Sequence, residues 1–116
     1  MPTEMKSQVL FSAKEIAASG NAVSDPVEMS KASALAVHLT AITGTSPDVT
    51  FTYSLSCDGV TFVTPVSPVT IKANAQAADV LDFAPEAAKW IKITCTNNNA
   101  SNAVTVTARL AVQELH

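Results

Sequence analysis

The chain has 116 residues, with 7 Lys+Arg against 10 Asp+Glu and a net charge of −3, so it has the usual size of one domain and no basic cluster for nucleic-acid phosphates. Hydrophobic residues make up 47% and charged residues only 15%, which excludes intrinsic disorder, and no apolar run approaches the ~20 residues that cross a bilayer as a helix. The 13 valines and 13 threonines stiffen χ1 and suit a pleated sheet, while only six residues are aromatic, which predicts a thin core of small side chains between two packed sheets.

Met1 to Phe11 carries Glu4 and Lys6 and only the apolar triplet Val9-Leu10-Phe11, too short for a secretory signal. Residues 1–7 are expected as a mobile tail, and 8–116 as a single β-sandwich domain. Gln8–Ser12, Glu15–Ser19 and Val27–Met29 are short strand candidates, separated by Ser19-Gly20-Asn21 and Asp25-Pro26. Ala34–Thr43 reads as a longer strand with Leu35, Val37, Leu39 and Ala41 on one face. Its other face, Ala34, Ala36, His38 and Thr40, is small and almost uncharged. That face is the candidate interface, because a solvated strand face usually carries Lys, Glu or Arg. The alternative is that the loop Ser19–Ser33 folds over it.

Val49–Ser56 alternates without a break: Val49, Phe51, Tyr53 and Leu55 against Thr50, Thr52, Ser54 and Ser56. Asp58-Gly59 then predicts a tight type I′ hairpin that pairs this strand with Val60–Val63. Val69–Ile71 and Ala77–Phe83 are further short strands, and Ala84–Lys89 is expected as one helical turn. In Lys89–Thr96, Ile91, Ile93 and Cys95 oppose Trp90, Lys92 and Thr94. Asn97-Asn98-Asn99 predicts a second hairpin into Ala103–Gln113, where Val104, Val106, Ala108, Leu110 and Val112 share a face. The sum is an all-β antiparallel sandwich of about eight strands, jelly-roll-like, with at most one short helical turn.

Little in this pattern speaks for catalysis. Three glycines, Gly20, Gly44 and Gly59, cannot build a phosphate-cradling loop. His38 has no acid near it in sequence, Asp79 and Asp82 fall on opposite faces of a strand, and Asp48 and Asp58 lie at opposite ends of another. His38 and His116 are remote from Cys57 and Cys95, so the spacing of a zinc site is missing. The thiols are expected to be free, with a Cys57–Cys95 disulfide as the alternative. No catalytic residue, cofactor or metal site is expected, and no enzyme activity. Trp90 lies off the Ile91/Ile93 face and is the candidate for stacking on a sugar.

The segment Gly44-Thr45-Ser46-Pro47, its alternating strand, and Ser56-Cys57-Asp58-Gly59-Val60-Thr61-Phe62 resemble small β-sandwich proteins of tailed-phage and prophage structural modules. Ala84-Pro85-Glu86-Ala87-Ala88-Lys89-Trp90-Ile91-Lys92-Ile93 and Asp25 to Leu35 look like the same family, and the likeness spans about Val23 to Val112. Cys57, before Asp58, departs from it. The pattern is also similar to discoidin-type binding domains, though those are longer and carry aromatic or basic loop spikes that this chain lacks. The phage resemblance implies a non-enzymatic virion accessory protein, decorating a capsid or sitting on a tail. It would be made in the bacterial cytoplasm, form homo-oligomers and bind other virion proteins, with no nucleic acid or membrane partner. A carbohydrate-binding adhesion module and a stand-alone bacterial oligomeric domain are the alternatives.

Overall fold

A strand whose residues alternate between apolar and hydroxyl side chains must cover its apolar face, and two such sheets can cover each other. The computed structural model describes residues 3–29, 32–44, 47–64, 71–73, 79–83 and 88–115, and shows that solution. Nine strands are present among them: β1 (Thr3–Ile16), β2 (Asn21–Val23), β3 (Val27–Glu28), β4 (Ala32–Gly44), β5 (Val49–Ser56), β6 (Ile71–Ala73), β7 (Asp79–Phe83), β8 (Trp90–Asn97) and β9 (Val104–Leu115). Sheet A has the order β1-β9-β4-β7. Sheet B has the order β2-β8-β5-β6, and β3 continues the lane of β2 along β8. Apart from β2–β3 and β5–β6, consecutive strands lie in opposite sheets, which with four lanes per sheet is the strand order of a jelly roll. The expected all-β sandwich is present.

Alternation decides what fills the gap between the sheets. Val49, Phe51 and Tyr53 of β5, with Ile91, Ile93 and Cys95 of β8, meet Leu35, Val37 and Leu39 of β4 and Val104, Val106, Ala108 and Leu110 of β9. Leu55 is only partly buried and packs against the rim of this core. The long strands therefore match their expected positions closely.

Elsewhere the structure departs from the sequence reading. Residues 3–7, expected as a mobile tail, form the start of β1 and pair with β9 from Thr3↔Leu115 to Ser7↔Ala111. The expected short strand Gln8–Ser12 lies wholly within this one strand, whereas of Glu15–Ser19 only Glu15 and Ile16 belong to it and residues 17–19 are not strand. Irregular pairing between Val9 and Phe11 and between Phe11 and Lys14 bends it, with Ala13 at φ +47° and its N–H donating to Thr107 Oγ1 at 2.9 Å. In β4 a bulge between Leu39 and Ala41 adds one residue, so Ile42 is buried and Ala41, expected on the core face, is exposed. Val60–Val63 forms no strand; only Leu55 and Val63 bridge. The helical turn at 84–89 falls mostly outside the described residues.

The Asn97-Asn98-Asn99 segment is not a hairpin. It carries the chain from β8 in sheet B to β9 in sheet A. Such a crossing leaves carbonyls that no ladder can satisfy, and Asn97 meets them with its side chain. Its Nδ2 donates to the carbonyls of Ile16 and Ala17 at 3.2 Å each and of Asn102 at 2.9 Å, while Oδ1 accepts the Asn99 N–H at 2.9 Å. The residue is 1% exposed. Ser24 plays a similar part where the β2/β3 lane breaks before Pro26. Its Oγ accepts the Ile93 N–H at 3.0 Å, and its N–H donates to the Ile93 carbonyl at 2.8 Å.

Two substitutions test this account by chemical denaturation. Phe51→Ala should lower stability by about 3–5 kcal/mol through the cavity it leaves in the middle of β5. Asn97→Leu, similar in size but without donors, should lower it by about 2–4 kcal/mol by stranding the Ile16 and Asn102 carbonyls. An unchanged midpoint in either variant would contradict the corresponding contact.

Candidate functional site

Residues directly opposed in antiparallel strands project from the same face, so the register of sheet A defines its outer surface. Met5, Ser7 and Val9 of β1 stand opposite Gln113, Ala111 and Arg109 of β9. Those three in turn stand opposite Ala34, Ala36 and His38 of β4. The expected interface residues thus lie together on one face. Ala34 and Thr40 are exposed, and Ala36 and His38 are half-buried. Thr40 sits in the β4 bulge and donates its hydroxyl to the Thr107 carbonyl at 3.1 Å.

β4 is flanked by β9 and β7, so its backbone is paired and the open surface is its face rather than an edge. The loop 19–33 does not cover that face in its described part, because residues 21–23 and 27–28 are strands of sheet B, paired with β8. Sequence reasoning missed the contribution of β1 and β9. Met5 is 67% and Val9 47% exposed, and both flank the alanines. Their alternation was present in Met5-Ser7-Val9, but the assumed tail hid it.

Two adjoining shallow depressions cross this surface. One of about 340 Å³ is lined by Met5, Ser7, His38, Thr40, Arg109 and Ala111. The other, about 180 Å³, shares Met5, His38 and Ala111 with it and adds Ala34, Leu35, Ala36 and Gln113. Of the six residues in the larger one, Arg109 is the only Lys, Arg, Asp or Glu. A surface so poor in charge is cheap to dehydrate, and its alanines cost no side-chain entropy to cover.

The outer face of sheet B is built differently. Thr50, Thr52 and Ser54 of β5 stand opposite Thr96, Thr94 and Lys92 of β8. Lys92 Nζ lies 4.3 Å from the centroid of the Phe62 ring. Trp90, the expected sugar platform, is half-buried and serves the 56–63 loop. Gly59 adopts φ +78° and lies so close to the indole that a Cβ there would be 3.1 Å from Trp90 Nε1.

Positive φ at Gly59 matches the expectation from Asp58-Gly59, but Asp58 itself is not at positive φ, so the turn is not type I′. The Asp58 carboxylate closes the loop instead. Oδ1 accepts the N–H groups of Val60 at 2.8 Å and Thr61 at 2.9 Å, and the Ser56 hydroxyl at 2.8 Å. This capture holds Val60 and Thr61 out of a ladder with β5.

No group of three or more His, Cys, Asp or Glu able to hold a metal occurs among the described residues. Both cysteines are free: Cys57 is exposed in the 56–63 loop, and burial pushes the Cys95 thiol up to about 12. His38 is brought opposite Arg109, a pairing that the sequence does not show.

The fold and this surface define a two-sheet all-β protein with an open, charge-poor outer face on sheet A. No protein-family model matches the chain, and no curated protein matches it in sequence. Among solved structures, PirA is similar at 11% identity and a TM-score of 0.50, over 98% of this chain and 93% of that one, which supports the fold. A protein of the Bacillus endospore appendages, described as a family of disulfide-linked pili, aligns at 14% identity and a TM-score of 0.42, over 97% of this chain and 84% of its own. A carbohydrate-binding module from Cellvibrio mixtus lichenase 5A aligns at 10% identity and 0.45, over 97% and 87%.

The Asp58 loop gives a pH test. Hydrogen bonds from Thr61, Val60 and Ser56, in that order of effect, lower its pKa from 3.8 to about 2. A depressed carboxylate pKa contributes stability above the unfolded value, and that contribution is lost as pH falls through about 2. The amide resonances of Val60 and Thr61 should therefore titrate together with a midpoint near pH 2, and Asp58→Asn should abolish the transition. A midpoint near 3.8 would show that the carboxylate does not hold the loop.

Proposed function

We propose that the protein is a non-enzymatic structural subunit of a phage or prophage virion, acting by docking the outer face of sheet A onto protein, including further copies of itself. The observation that carries this reading is that face. It runs across β1, β9 and β4 as Met5, Val9, Ala111, Ala34 and Ala36 with Arg109 and His38, and its alanines, like Met5 and Val9, offer no charge to solvent. Charged side chains normally protect such a surface, and a partner is the physical reason to leave them out. A sheet face suits binding by shape to a symmetric protein surface, where the same contact repeats in every copy.

The virion context rests on the resemblance of residues 44–62 and 84–93 to phage β-sandwich proteins. On that reading the chain is made in the bacterial cytoplasm and carried into the particle during assembly. Terminase, portal or tail genes beside its gene would support this, and a metabolic operon would count against it.

Light scattering after size exclusion at micromolar concentration tests the docking surface. Wild type should elute as an oligomer, and Ala36→Glu, which sets a charge in the middle of the face, should reduce its mass. A monomeric wild type, or an Ala36→Glu protein of unreduced mass, would overturn the reading.

A further inference from the structure

We infer that β1 pairs edge to edge with β1 of a second copy, antiparallel about a two-fold axis through Ser7. This rests on the reading of the protein as a self-associating subunit and specifies one contact within it. β1 ends sheet A, and no strand among the described residues pairs with its outer side. Met5, Lys6, Ser7, Gln8 and Val9 are all exposed, so this stretch of edge is uncovered. Natural edges are usually blunted by Pro, by bulges or by charge. Here the bulges begin only after Val9, Met5–Val9 contains no Pro, and its one charge, Lys6, is paired with Glu114 at 3.0 Å within the same chain.

The segment Met5-Lys6-Ser7-Gln8-Val9 is also complementary to itself. If both outer faces are to lie on the same side of a joined sheet, one residue must sit opposite its own copy, because a one-residue slip turns every side chain over. A centre at Lys6 would oppose two like charges. A centre at Gln8 would set Val9 against Ser7 and carry Met5 toward the bulged stretch. A centre at Ser7 places Met5 against Val9 twice, Lys6 against Gln8 twice, and Ser7 against Ser7. Apolar then meets apolar on the outer face, and no like charges are opposed. Two four-stranded sheets would become one of eight strands, and the open faces of both copies would form one continuous docking surface centred on the Met5–Val9 pairs.

The test uses the full chain in the Ala36→Glu background, which removes the face contact and leaves the edge. Ser7 is exposed, so replacing it disturbs the subunit little. Ala36→Glu should elute as a dimer. Adding Ser7→Lys or Ser7→Glu should raise its dissociation constant by about tenfold or more, because like charges then meet on the axis. Mixing the Ser7→Lys and Ser7→Glu proteins should restore the dimer, a rescue that a misfolded variant could not give. An Ala36→Glu protein that is already monomeric would overturn the β1 contact while leaving the docking face standing. A dimer indifferent to both Ser7 charges would overturn it too. Charge-dependent dimers together with an oligomer that Ala36→Glu does not alter would uphold the edge contact and sink the docking face instead.

Discussion

The buried amide of Asn97 holds the end of the sandwich where the chain passes from sheet B to sheet A. In a jelly roll nearly every connection crosses between sheets, and each crossing takes backbone groups out of one ladder before they enter the other. Here the last residues of β1, the turn at 17–20, the start of β5 and the 97–103 crossover all meet at one corner. Asn97 N–H reaches the Gly20 carbonyl at 2.8 Å, Asn98 N–H reaches that of Asp48 at 2.8 Å, and Ser19 N–H reaches that of Asn99 at 3.0 Å. The Asn97 side chain spreads its two hydrogens over three carbonyls at the centre of that knot. Without it, the Ile16 carbonyl would lose this partner in a buried place, the costliest state for a polar group, whereas the Ala17 carbonyl would keep the Gly20 N–H at 2.9 Å. The hydroxyl of Ser24 answers the same demand where the β2/β3 lane is interrupted.

With the crossings held, the two outer faces are free to differ, and they do. Sheet B shows threonine, serine and lysine to the outside, the composition of a solvated strand face. The Lys92–Phe62 contact and the Gly59–Trp90 packing tie the 56–63 loop down over its end. Sheet A shows Ala34, Ala36 and Ala111 with Met5 and Val9, beside His38, Arg109 and Gln113. Both sheets share one core, although the irregular pairings fall in β1 and β4 of sheet A. The difference lies in the side chains that each outer face presents, which is what the proposed docking role would require.

The long alternating runs were the readable part of this fold. In β5, β8 and β9 every second residue is apolar, and a period of two leaves one choice of buried face, so Phe51, Ile93 and Val106 could be placed without any knowledge of topology. Interruptions of the period were opaque. The bulge at Thr40 exchanges Ala41 for Ile42 in the core, and nothing in Leu39-Thr40-Ala41-Ile42 marks where the extra residue falls. β1 was hidden more thoroughly, since Ser12–Ser19 has helix propensity and only pairing along the whole of β9 makes it a strand. The Asn97 network was unreadable for another reason. Asn-rich segments serve hairpins and crossovers alike, and the distinction depends on which sheet the next strand joins. The candidate interface residues of β4 could be named from their missing charge, but their neighbours Met5, Ala111 and Arg109 required the register.

A thin core would give the proposed self-association a thermodynamic role beyond architecture. Valine and alanine bury little area each, and hydrophobic stabilisation scales with the area removed from water, so a sandwich with six aromatic residues in 116 holds a modest reserve. Contacts made only by the folded chain add to that reserve by mass action, in proportion to the logarithm of local concentration. A subunit held on a crowded, repeating surface is exposed to a high effective concentration of its neighbours. On the proposed reading, the features that weaken this protein as a monomer, a charge-poor sheet face and an edge that no described strand pairs, are the ones that stabilise it once assembled. Charge placed there would make a more soluble monomer and a poorer subunit.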